Sequence, residues 1–160
     1  MQSALFQRHF QIAYVVDDVE QAMAAFGKSH GVARWDVMDM AAMAGPGAPL
    51  KFIATAWAGD VMIELLQPDE DVPSIYAGWQ AQTGRPFRLH HLGFLVDSAE
   101  QLVAHRQQLI ANGYPVATEG SFGDSLDFAY LDTTADFGHY YELIWLKAGG
   151  EAFFDRIPLN

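Results

Sequence analysis

Four polar side chains stand at positions where a strand should be apolar. Glu64 lies in Met62-Ile63-Glu64-Leu65-Leu66, and Glu142 lies in Tyr140-Tyr141-Glu142-Leu143-Ile144. A carboxylate buried without a partner costs several kcal/mol, so each glutamate asks for a cation or a metal. Alternate residues of a strand share a face. Gln11 therefore sides with Ala13 and Val15, His91 with Gly93 and Leu95, Glu64 with Met62 and Leu66, and Glu142 with Tyr140 and Ile144. Taken singly, each is readable as an edge glutamate facing water or a histidine satisfied by a backbone carbonyl. Taken together they offer one imidazole, two carboxylates and an amide oxygen. That set suits a borderline-to-hard divalent ion with water in its remaining positions.

The four positions are related by an internal repeat. Val16-Asp17-Asp18-Val19-Glu20-Gln21 is echoed by Val96-Asp97-Ser98-Ala99-Glu100-Gln101, an offset of 96 − 16 = 80 residues in a chain of 160. Ile12-Ala13-Tyr14-Val15 matches Leu92-Gly93-Phe94-Leu95 in kind, and Glu64-Leu65-Leu66 answers Glu142-Leu143-Ile144 at an offset of 142 − 64 = 78. Three matches in one order at nearly one spacing indicate a duplicated module. A fold that brings the two module faces together would place Gln11, Glu64, His91 and Glu142 around one point.

Each module reads as β-α-β-β-β. Strand-like runs open the modules at 9–16 and 89–97. Asp18 and Ser98 then start helices, each with a glutamine three residues later in a capping-box pattern. The first helix gathers Val19, Ala22, Met23 and Phe26 on one stripe, the second Leu102, Val103, Leu109 and Ile110. Glycines at 27–31 and Asn112-Gly113 end them. Strands follow at 33–39, 50–57 and 61–67, with a hairpin turn at Ala58-Gly59-Asp60, and again at 115–119, 126–133 and 139–147. The expected organisation is one α+β domain: a first module over 1–67, a connector over 68–87 with a short helix around 74–82, a second module over 88–148 and a tail over 149–160.

Composition narrows the function. Nine Lys+Arg against 20 Asp+Glu give a net charge of −11, which disfavours nucleic acid and anionic membrane surfaces as partners. The absence of cysteine removes disulfides, thiolate ligands and cysteine nucleophiles. No apolar run reaches transmembrane length and no signal-peptide pattern opens the chain, so a soluble cytoplasmic protein is expected.

The run His9-Phe10-Gln11-Ile12-Ala13-Tyr14-Val15-Val16-Asp17-Asp18-Val19-Glu20 resembles the opening strand and helix start of the vicinal oxygen chelate superfamily. That superfamily includes glyoxalase I, methylmalonyl-CoA epimerase, extradiol dioxygenases and bleomycin-resistance proteins. Leu89-His90-His91-Leu92-Gly93-Phe94-Leu95-Val96-Asp97 resembles its second-module opening, and Ile63-Glu64-Leu65-Leu66-Gln67-Pro68 and Tyr141-Glu142-Leu143-Ile144 its module-closing strands. The resemblance implies paired βαβββ modules in a cupped, open mixed sheet. It also implies one divalent ion (Zn, Ni, Co, Mn or Fe) held by Gln11, Glu64, His91 and Glu142, and a homodimer. A Gln/Glu/His/Glu set resembles that of some glyoxalases I. The Gly113-Tyr114-Pro115-Val116 segment and the Gln67-Pro68 after Glu64 are closer to the epimerase-like branch, and Asp132–His139 lacks the Asp-Pro-Asp-Gly turn common in glyoxalase I. A single clean histidine argues against the two-histidine chemistry of the dioxygenases.

Such a site implies an isomerase, epimerase or lyase acting on a small oxo-compound or thioester through α-proton abstraction and an enediolate, with Glu142 or Glu64 carrying the proton. The alternatives are a resistance-type binding protein of the same fold and, third, an extradiol-type dioxygenase. Met62, Trp57 and Tyr140, with Met38, Met40 and Met43, are candidates for an apolar pocket or for core. Arg88 and Arg85 are candidate anchors for a substrate anion, and His9 is a substitute ligand. His90 and His139 are expected on the opposite strand face, as surface or packing residues, and His30 and His105 in solvent. The glycine-rich Ala44–Pro49 segment lacks the lysine and helix of a phosphate loop and reads as a flap.

Overall fold

Both halves of the chain adopt the element order that their patterning dictates, in a computed structural model that describes residues 4–79 and 84–160. A 3-10 turn at Leu5–Arg8 precedes β1 (His9–Val15), α1 (Val19–His30), β2 (Asp36–Asp39), α2 (Met40–Ala44), β3 (Leu50–Ala58) and β4 (Val61–Pro68). The second half comprises β5 (Arg88–Val96), α3 (Ala99–Ala111), β6 (Val116–Phe122), β7 (Leu126–Leu131), α4 (Thr134–Phe137), β8 (Tyr140–Leu146) and α5 (Glu151–Asp155). The fold is α+β with eight strands in mixed pairing. The first four strands follow the order β2-β3-β4-β1, and the last four repeat it as β6-β7-β8-β5. Among the described residues no helix is long and apolar enough to cross a membrane.

The residues group into two compact units, one of residues up to Gln11 with His91–Asp155, the other of Ile12–His90 with Arg156–Asn160. In the second of these, Val16, Val19, Ala22, Ala54 and Leu65 form a core between α1 and the β3–β4 hairpin, with Met23 and Phe26 packed against it. All four residues expected on the α1 stripe face this core. Asp18 caps α1 by accepting from the Gln21 N–H at 2.9 Å. Gly59, at φ 64°, makes the hairpin turn.

The other unit mirrors this arrangement. Phe94, Ala129, Leu131, Tyr141 and Leu143 form the core, covered by Leu102 and Leu109 of α3. Each fully buried side chain of this size contributes about 1.5–3 kcal/mol. Ser98 caps α3 through the Gln101 N–H at 3.2 Å. β5 and β8 run parallel, while β6–β7 and β7–β8 are antiparallel.

Three expectations need correction. The buried stripe of α3 is Leu102, His105 and Leu109, an i, i+3, i+7 row, whereas Val103 and Ile110 are exposed. His105 is therefore not in solvent: it is 3% exposed. The helix expected around 74–82 is absent over Ser74–Trp79, which forms turns; Gln80–Gln82 lie outside the described residues. The Ser74 hydroxyl accepts from the N–H groups of Tyr76 and Ala77, and Gly78 adopts φ 73°, which ends any helical path. The short α2, α4 and α5 carry too few residues for a periodic signal.

Candidate metal centre

In each unit one face of the strands is sealed by a helix and the other carries a glutamate. Around Glu142 the geometry follows from strand register. Gly93 on β5 and Tyr130 on β7 flank Glu142 on either side, and His91 sits beside Tyr140. His91, Tyr140, Glu142 and Tyr130 therefore face away from the α3 core, as alternation requires.

Gln11, His91 and Glu142 converge. The His91 Nε2 stands 3.0 Å from Glu142 Oε2 and 3.3 Å from Gln11 Oε1. They are nearly inaccessible, at 2% exposure for Gln11, 0% for His91 and 7% for Glu142. A single N–H shared between two oxygens is a weak return for desolvating a carboxylate. Two ligands about 2.1 Å from one ion, at angles between a right angle and tetrahedral, are separated by about 3.0–3.4 Å. Both distances from His91 Nε2 fall in that range, the spacing that donors to one divalent ion would have. Among the described residues no three His, Asp or Glu side chains form a metal-binding group. The constellation has one imidazole and one carboxylate, and its third donor is an amide.

Two residues that the sequence reading did not single out support this arrangement. The Tyr130 ring stands edge-on to His91 at 5.0 Å and fixes the imidazole plane. Gly93 makes room for Gln11: a Cβ at residue 93 would lie 2.4 Å from Gln11 Oε1. A glycine inside a strand marks such a close approach, and that was the available signal. Tyr140 shares this face, and its hydroxyl pKa is raised by burial and then by Asp132, so it remains a protonated donor at neutral pH.

Glu64 lies in the other unit, half-buried on β4 and directly opposite Thr55 of β3. Trp57 and Met62 pair in register on the same face, with Met62 only 2% exposed. Met38 and Met40 are buried, and Met43 is half-exposed.

Arg88 faces a different environment. Its side chain is 4% exposed, donates to Asp17 Oδ1 at 2.6 Å and also to the Arg85 carbonyl. Its guanidinium is thus engaged within the fold, on the strand face opposite His91. His90 packs between Tyr76 and Trp79, which explains its complete burial. His9 Nε2 is bonded to the Gln11 carbonyl and its ring contacts Phe94. His30 is exposed, and His139 is partly buried beside Tyr141. Gly45 and Gly47 have positive φ in the turn that follows α2.

Comparisons with known proteins agree with this fold. No curated protein matches the sequence significantly. Among solved structures, methylmalonyl-CoA epimerase from Mycobacterium tuberculosis superposes with a TM-score of 0.66 at 15% identity, over 95% of this chain and 96% of that one. A hypothetical protein from Bacillus halodurans C-125 gives 0.63 at 21% identity, over 88% and 94%. A variant of the Streptomyces coelicolor methylmalonyl-CoA epimerase, in complex with 2-nitronate-propionyl-CoA, gives 0.61 at 17%, over 88% and 98%. At these identities the likeness is one of fold. The family model of the Glyoxalase/Bleomycin resistance protein/Dioxygenase superfamily matches residues 10–130, and the chain belongs to that superfamily.

Proposed function

We propose that this protein is a divalent-metal-dependent isomerase, epimerase or lyase that abstracts a proton next to a carbonyl in a small oxo-compound or thioester. The observation that carries this reading is the buried convergence of Gln11, His91 and Glu142. These three residues would hold the ion. When bound, the ion stabilises negative charge developing on a carbonyl oxygen. The chain's own residues do the rest. Glu142 accepts the proton from carbon, and general-base catalysis of this kind contributes about 10²–10⁴-fold. Tyr130 fixes the imidazole, and protonated Tyr140 offers a hydrogen bond to a substrate oxygen beside it. The solved epimerases of the same fold, one of them in complex with 2-nitronate-propionyl-CoA, support an epimerase-type activity.

The test is elemental analysis of the purified wild type beside His91→Ala and Glu142→Ala, followed by proton exchange in D₂O on 2-oxo acids and acyl thioesters. One ion per chain, lost in both variants, with exchange abolished by EDTA, is the expected result. A wild type that takes up none of zinc, nickel, cobalt, manganese or iron would refute the enzyme reading and leave a small-molecule binding protein.

A further inference from the structure

We infer that the site takes an oxo-compound whose substituent is apolar and uncharged, seated along a row of Leu95, Ile144 and Phe128. The inference rests on the proton-abstraction reading proposed above and names its substrate class. Strand register lays out the face around Glu142 row by row. His91 on β5 stands beside Tyr140 on β8, Gly93 beside Glu142, and Leu95 beside Ile144. On the other side of β8, Tyr130 of β7 flanks Glu142 and Phe128 flanks Ile144. Alternation puts all of these on one face. The donors occupy the first two rows, and the third row, Leu95–Ile144–Phe128, is wholly apolar. The Phe128 ring stands 5.8 Å from that of Tyr130, which stands 6.4 Å from that of Tyr140, so an aromatic line runs beside the donors. Leu95 and Phe128 are half-buried and present surface to a ligand, while Ile144 is buried between them.

Charge decides the second half of the inference. Leu131 pairs with Tyr141, so the next step along the antiparallel ladder sets Asp132 opposite Tyr140, at the polar end of the face. Asp132 Oδ1 accepts from the Thr134 N–H at 3.0 Å and from the Thr134 hydroxyl at 2.6 Å, which holds the carboxylate in place. The cations of this unit are held elsewhere. Lys147 pairs with Asp127, which alternates with Phe128 and so faces the other way. Arg106 lies on α3 and pairs with Glu119, and Arg8 pairs with Asp97 just before α3. Among the described residues of this unit, therefore, no lysine or arginine stands on the Glu142 face. An anionic group set back from the carbonyl would meet Asp132 and Glu142 with no cation on this face to offset them, and like charges act against the wrong substrate. An apolar substituent gains by leaving water for the third row.

The experiment compares butanone, benzylacetone and levulinate, which share one carbonyl and differ in bearing no further group, a phenyl ring or a carboxylate at the same carbon. Dissociation constants are measured by equilibrium dialysis for the ion-free full-length protein. Deuterium uptake from D₂O is measured by mass spectrometry for the protein loaded with the ion that elemental analysis finds, each rate divided by its uncatalysed rate. In both readouts the wild type should favour benzylacetone over levulinate by about 10-fold or more. Phe128→Ala should cut the benzylacetone-to-butanone ratio about 10-fold, and Phe128→Leu should retain most of it. Asp132→Asn keeps an oxygen for Thr134 and should raise levulinate relative to benzylacetone about 10-fold. Levulinate equal to benzylacetone in the wild type, or ratios unchanged in Phe128→Ala and Asp132→Asn, would overturn the inference. So would exchange confined to 2-oxo acids and acyl thioesters, and each of these results leaves the proton-abstraction reading standing. Exchange of no carbonyl compound at all would overturn both.

Discussion

Replacing Gly93 by alanine tests the proposed metal centre at a close contact. The new Cβ would lie 2.4 Å from Gln11 Oε1, 2.8 Å from Gln11 Cβ and 3.2 Å from Cδ. The first two are inside any tolerable van der Waals separation, and Gln11 is 2% exposed and cannot swing into solvent. Gly93 is not in a left-handed conformation, so alanine there would ordinarily stabilise by about 0.4–1 kcal/mol through the unfolded chain. Overpacking costs about 1–3 kcal/mol, and loss of the Gln11–His91 hydrogen bond adds about 1 kcal/mol. The balance is a net loss of about 1–3 kcal/mol, or about 3–9 °C in midpoint for a domain of this size. Urea unfolding of the ion-free protein measures it, with an unchanged slope expected. Gln11→Gly removes the atoms that clash, so the cost of Gly93→Ala should fall by more than half in that background. Ion affinity should drop at least as far as in Gln11→Ala. A Gly93→Ala protein that is as stable as the wild type, or more stable, and holds its ion would show that Gln11 does not depend on the space at residue 93.

Two further outcomes separate structural charges from the site. Burial and then Arg8 lower the pKa of His105 below its ordinary 6.5, and its Nε2 has no hydrogen-bond partner. The unfolded chain therefore binds the extra proton first. The stabilising effect of neutral His105 is complete above pH 6.5 and is lost as pH falls below it. Urea midpoints recorded from pH 8 to pH 5 should decline less in His105→Leu than in the wild type, and parallel curves would refute the assignment. For the Arg88–Asp17 pair, Asp17→Asn leaves a guanidinium that is 4% exposed with a weaker partner, whereas Arg88→Met removes the buried charge. Denaturant titration should find Asp17→Asn costlier by about 1 kcal/mol or more, and both variants should keep wild-type ion affinity. Loss of affinity in Arg88→Met would tie this pair to the ion site.

The repeat makes the fold legible in the sequence alone, because a capping residue, a glycine stop and a glutamate within an apolar run recur at a near-constant offset. Asp18 and Ser98 cap the helices that their spacing assigns to them. His91 and Glu142 were legible as partners because strand alternation and the repeat both point them to one face. What the sequence concealed was of two kinds. The orientation of α3 turned on whether Leu102–Leu109 or Val103–Ile110 faced inward, and both rows are apolar at helical spacing. A histidine on the buried row reads as a solvent residue until packing decides otherwise. Arg88 read as free charge because its partner, Asp17, is 71 residues away.

Gly93 and Thr55 belong to the second kind, residues whose meaning lies in an absence. Gly93 matters for the atoms it lacks, which make room for the Gln11 amide. Thr55 matters for a hydrogen bond it does not make. The glycine is a signal because it weakens a strand, whereas a threonine suits one and carries none. Both stand directly opposite a glutamate in register, Gly93 beside Glu142 and Thr55 beside Glu64. Gly93 thus pairs Glu142 with a local departure from best packing, the mark that the proposed site would leave on a core otherwise built for stability.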